Sequence, residues 1–191
     1  MTMIKRLYAN KPVSYVLLLS QICLGVPLLL CYVLLPSVAR QQAGVSNFGV
    51  QWPTSVLYSL GIATCAWFLW VAAIQIAGRF RPLAIGLAAL SIVLLAVLLS
   101  TYPYKLSPSL NYLHKVMDFV LISVQLVLGL YLALRIHRAR LSALLLTLQI
   151  IGTVLMYLTT LGLHDLFLSQ QITEVSFGSL LVSATSYLPS P

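Results

Sequence analysis

Residues 83–100 read LAIGLAALSIVLLAVLLS, eighteen consecutive positions without one charged side chain. A helix that crosses a bilayer needs about 20 mostly apolar residues. Arg79, Arg81 and Pro82 bound this run on one side, and Tyr102-Pro103 bound it on the other. No water-facing helix tolerates such a composition on every face. Lipid is therefore the solvent expected around it.

The rest of the chain has the same character. Of 191 residues, 60% are hydrophobic and 7% are charged, against about 25% charged in a soluble domain. Further apolar runs predict spans at Ser14 to Leu35, Thr54 to Ala77, Leu110 to Arg135, Leu141 to Leu163 and Glu174 to Leu188. With Leu83 to Ser100 these make six. The last is short and rich in serine. Proline and basic clusters mark the gaps: Pro36, Pro53, Gly78 to Pro82, Pro103 and Pro108, and Arg138-Ala139-Arg140. The expected fold class is all-α, a polytopic integral membrane bundle of six transmembrane helices forming one domain over residues 1–191.

The first run is longer than the apolar segment of about 7–15 residues in a signal peptide, so it reads as a retained helix. The net charge of +8 does not point to nucleic acid, because the basic residues sit in short gaps between apolar runs. Their distribution orients the bundle instead. With the N-terminus inside, the inner segments hold Lys5, Arg6, Lys11, Arg79, Arg81, Arg135, Arg138 and Arg140, and the outer segments hold Arg40 and Lys105. Both termini are expected in the cytoplasm. A prokaryotic plasma membrane is the simplest location. The two longer loops, Ser37 to Trp52 and Thr101 to Pro108, then lie outside. Tyr102, Tyr104 and Tyr112 suit an aromatic belt there. Cys23, Cys31 and Cys65 lie inside apolar runs, so no disulfide is expected.

Ionisable groups inside spans are costly and are candidate functional groups by default. The fourth span carries His114, Lys115 and Asp118, His164 and Asp165 end the fifth, and Glu174 opens the sixth. At 100° per residue, His114, Asp118, Gln125 and Gly129 form one polar stripe. Gln149, Thr153, Thr160 and His164 form another on the fifth span. In an antiparallel hairpin these match in depth rung by rung, each pair of residue numbers adding to 278. Two readings stay open. The stripes are interhelical glue, or they line an outward-facing pocket. The candidate ligand-lining residues are His114, Lys115, Asp118, Gln125, Thr153, Thr160, His164 and Glu174. No HExxH, GxSxG or Walker-type loop is present. No metal site and no cofactor are expected.

A set of short motifs resembles the DRAM-like (damage-regulated autophagy modulator) membrane proteins, and more closely an uncharacterised prokaryotic six-helix family of the same layout. The matching features are Ser46-Asn47-Phe48-Gly49 before Pro53, Tyr58-Ser59-Leu60-Gly61 opening the second span, Tyr102-Pro103, His114, and Glu174 at the head of the last span. Val175 departs from the aromatic residue that tends to follow the acidic one in eukaryotic relatives. The resemblance implies six helices with cytoplasmic termini and a link to membrane lipid handling, without an established reaction.

The first functional expectation is thus a non-enzymatic protein binding lipid or a small amphipathic ligand in an outward-facing pocket near spans four to six. The second is a membrane-embedded enzyme acting on lipid headgroups through His114, Asp118, His164 and Glu174. The third is a small transporter. Membrane lipid is the expected partner. Protein partners and oligomeric state are not legible in the sequence.

Overall fold

The computed structural model describes residues 12–39, 44–102, 105–135, 139–160 and 166–187. The described residues are helical apart from short turns, with no strand among them. Six long helices follow one another: α1 (Val13–Leu34), α2 (Thr54–Ile76), α3 (Arg81–Thr101), α4 (Pro108–Arg135), α5 (Ala139–Thr160) and α6 (Leu166–Thr185). Between α1 and α2 lie a one-turn helix, Pro36–Ala39, and a 3-10 segment, Gly44–Val50. Five of the long helices, α1 to α5, are long and apolar enough to cross a membrane. A helical membrane protein is the architecture this supports.

The breakers act as their chemistry dictates. Pro82 sits in the first turn of α3 and Pro108 opens α4, where a missing N–H costs nothing. Arg79 and Phe80 both donate their backbone N–H groups to Ile76 O, which closes the turn after α2. Pro27 lies inside α1 and is tolerated there.

The packing is a ring of five helices with a sixth outside it. α1 packs on α2, α2 on α3, α3 on α4, α4 on α6, and α6 back on α1. α5 lies against α4 and α6. Its window is the least buried of the five apolar helices. α2 is the most buried, and Tyr58, Cys65, Ala66, Leu69 and Ala72 are almost wholly covered. The α5–α6 contact is close. A Cβ on Gly152 would lie 2.8 Å from the backbone nitrogen of Thr173, so only glycine fits there. α1 and α6 run antiparallel, with Gln21 against Gly178.

Two expectations are corrected. The last helix does not begin at Glu174 but at Leu166, two turns earlier. Ser169, Gln170, Gln171 and Thr173 lower the hydropathy of that stretch. They are nevertheless helical: the polar groups of Ser169, Gln170 and Thr173 are met by the cap and by the helix's own carbonyls. The hydroxyls of Ser169 and Thr173 donate to Leu166 O and Ser169 O. Secondly, the stretch from Ser37 to Trp52, expected as an outer loop, holds a one-turn helix and a 3-10 segment. Gly44, Ser46, Asn47, Phe48 and Gly49 are buried. The segment folds down into one end of the bundle as a cap. Phe48 is fully buried and meets the ring of Phe167 edge-on at 6.1 Å. Arg79, Arg81 and Arg135 mark the opposite, basic end.

Candidate functional site

The α4 stripe points into the bundle. His114 is 4% exposed and Gln125 2%, and both Leu128 and Gly129 are buried on the same face. Spacings of four and seven residues bring these side chains round to one side of a helix. Their partners differ from those expected.

His114 is a hub. Its Nδ1 lies 3.0 Å from the Ser100 hydroxyl on α3, and its Nε2 lies 2.9 Å from the Ser46 hydroxyl on the cap. Nε2 also lies 3.4 Å from the Asp118 carboxylate one turn on. The cap has two further fixings. The Val45 N–H donates to Gln170 Oε1 at 2.9 Å, and the Thr54 hydroxyl donates to Phe48 O at 3.0 Å. Gly49 lies against Tyr58, whose hydroxyl is 3.4 Å from that of Thr101. Ser46-Asn47-Phe48-Gly49, Tyr58 and His114 thus come together at the capped end.

A second polar cluster lies deeper. Gln125 is seven residues beyond Asp118, about 10 Å further along α4. Its Nε2 donates to both carboxylate oxygens of Glu174, at 2.9 and 3.0 Å. Gln125 Oε1 and the nearby Gln171 Nε2 are buried and have no hydrogen-bond partner. Glu174 stands near the middle of α6 rather than at its head.

Between the two clusters is an internal cavity of about 70 Å³ to which all six helices and the cap contribute. On that measure a water needs about 10–15 Å³, so the space holds a few waters or a small head group and not a whole lipid. Asp118, Glu174, Gln170, Gln171, Ser46 and Tyr58 are its polar lining, and aliphatic side chains such as Leu28, Leu94 and Leu121 form the rest. Asp118 is 34% exposed, because its carboxylate borders this open space.

On the outside of the same wall runs a groove between α1 and α6, of about 360 Å³. Leu24, Leu28, Gln171 and Glu174 line both the cavity and the groove. One thin partition of side chains therefore separates the interior from the bundle surface.

The remaining expected residues fall as follows. Thr153 donates its hydroxyl to Gln149 O in its own helix, so Gln125 bonds to Glu174 and not to Thr153. The Gly129–Gln149 rung is present as a contact. Lys115 is exposed and lines neither cavity nor groove. His164 and the side chain of Thr160 lie outside the described residues. Among the described residues no three His, Cys, Asp or Glu side chains gather as metal ligands. Sequence reasoning missed Ser100, Gln170 and Gln171. Gln170, Gln171 and Glu174 recur at helical spacing on one face, a signal that a helix beginning eight residues earlier would have exposed. No family model, curated protein sequence or solved structure matches the chain.

Proposed function

We propose that this is a six-span protein of a prokaryotic plasma membrane, with both termini in the cytoplasm, that binds a lipid or small amphipathic ligand at the junction of the internal cavity and the α1–α6 groove. α6 has 20 residues, about 30 Å of helix, which matches the hydrocarbon core. That length supports a sixth crossing, which puts the basic end of the bundle on the cytoplasmic side.

The observation that carries the binding reading is the shared wall. The groove falls in the range of about 300–1,000 Å³ typical of small-molecule sites, and Leu18, Leu24, Leu28, Val175 and Val182 make it apolar. Glu174 and Gln171 open from it into a polar interior with unmet hydrogen-bonding capacity. In hydrocarbon such groups are costly unless something polar reaches them. A chain in the groove with its head at Glu174 meets both demands. His114 suits a structural role, since both ring nitrogens are engaged. That does not favour the enzymatic reading.

Native mass spectrometry of protein released from a mild detergent tests this. Val175 faces the groove at 63% exposure, so Val175→Trp fills it without touching the core. The wild type is expected to carry an amphiphile adduct that this variant loses. Equal adducts on both proteins, or none on either, would sink the reading.

A second reading gains from one observation. Glu174 lies deep in the bundle, and carriers place their sites near the midplane. A small transporter moving the same ligand from groove to cavity is that alternative. Uptake into proteoliposomes that Glu174→Gln abolishes would distinguish it from simple binding.

A further inference from the structure

We infer that the ligand's head group is a cation, an alkylammonium, received by Glu174 with Asp118 beyond it, and that it enters from the membrane between α1 and α6. The inference rests on the ligand-binding reading above and names the chemistry of what is bound.

The polar inventory of the cavity is lopsided. Two carboxyl groups line it, and among the described residues no lysine or arginine does. The basic side chains nearest in sequence do not serve it. Lys115 is exposed and outside the lining, and Arg135 is committed to the basic end, over the ring of Tyr131. Asp118 has an imidazole 3.4 Å away. Glu174 has only the Gln125 amide nitrogen. A carboxyl group in a low-dielectric interior stays neutral or takes a counter-charge, and a cationic head supplies one. An anionic head would meet two carboxyl groups and no basic side chain among the described residues, and is disfavoured on that ground.

A separate observation points to a hydrogen-bond donor. Gln125 is nine-tenths buried and more, yet its Oε1 has no partner, although its own Nε2 is bonded to Glu174. The vacant acceptor and the carboxylate are therefore side by side. An ammonium carries three N–H donors, enough for the Glu174 carboxyl group and that acceptor together. Size agrees. The cavity of about 70 Å³ admits a head and not a chain, and the groove of about 360 Å³ beside it admits the chain. Glu174 stands at their common wall.

Dodecylamine, dodecanol and dodecanoate have the same chain and differ in head charge at neutral pH. Each is titrated into purified protein in a neutral maltoside detergent, and binding is read from the shift in unfolding temperature. For the wild type, dodecylamine should bind at least about tenfold more tightly than dodecanol, a difference of about 1.4 kcal/mol, and dodecanoate most weakly. Glu174→Gln should erase the preference for the amine while dodecanol binding persists. Val175→Trp should lose all three. Amine and alcohol binding equally to the wild type overturns the cationic head and leaves the ligand-binding reading standing. No shift with any of the three overturns both. Should Glu174→Gln fail to fold, Asp118→Asn carries the test, with a smaller loss of the amine preference expected. A preference unchanged in that variant and in folded Glu174→Gln overturns the assignment to these carboxylates.

Discussion

The two polar clusters inside this bundle are built from similar residues and are satisfied very differently. Around His114 the ring nitrogens and two serine hydroxyls close on one another, and three elements are tied together. Around Glu174 one amide reaches the carboxylate, and two buried amide atoms are left over. A buried polar group with its partners in place specifies a fold. A buried polar group without them is costly, and a bound molecule is one way to complete it. The first cluster holds the cap on the bundle, and the second is where we propose that a ligand binds.

The largest expected effect is at the saturated cluster. His114→Ala removes the hub and leaves Ser46 without that partner beside a new cavity, while Ser100 keeps its bond to Val97 O. Stability should fall by about 3 kcal/mol, measured by denaturant unfolding in detergent micelles, with faster proteolysis of the segment around residues 44–50. A fall below about 1 kcal/mol would mean that the cap is held by Phe48 and the Gln170 bond instead.

Ser46→Ala should cost less, about 1 kcal/mol, since hydrogen bonds between membrane helices average about 0.6 kcal/mol and reach about 1.7. The double variant with His114→Ala should be no worse than His114→Ala alone, because both act through one contact. Full additivity would break the picture of a single network. The smallest effect belongs to Lys115→Ala. Its exposed side chain lines neither space, so unfolding should move by less than about 0.5 kcal/mol and amphiphile affinity should not change. A loss of affinity would place Lys115 in the site and shift the charge argument.

Much of the fold was legible because hydropathy is read run by run. Val13–Leu34, Thr54–Ile76, Arg81–Thr101, Pro108–Arg135 and most of α5 lie close to the expected spans. The stripe through His114, Asp118 and Gln125 was legible too, since helical spacing alone fixes its face. Its partner was not. Hydropathy penalises Ser169, Gln170 and Gln171 whichever way they point, so α6 was begun eight residues late and Glu174 was placed at a helix end. That displacement carried the expected site towards one membrane face and set α5 opposite the stripe, where α6 in fact supplies the carboxylate. The cap was hidden for a related reason. Nothing in the composition of Gly44–Val50 distinguishes a buried 3-10 segment from a surface loop. Ser46 and His114 are 68 residues apart, and only the folded bundle brings them together.

Glu174→Gln tests the central contrast most directly. If the Glu174 cluster exists for a ligand, the substitution keeps the shape and an amide partner for Gln125 while removing the acid that pairs with a cationic head. Unfolding without added amphiphile should then be unchanged or shifted towards greater stability, as is common where function and stability oppose each other, and the amine-specific stabilisation should disappear. A protein destabilised as much as His114→Ala, with its preference for dodecylamine intact, would contradict the account and make both clusters part of the scaffold.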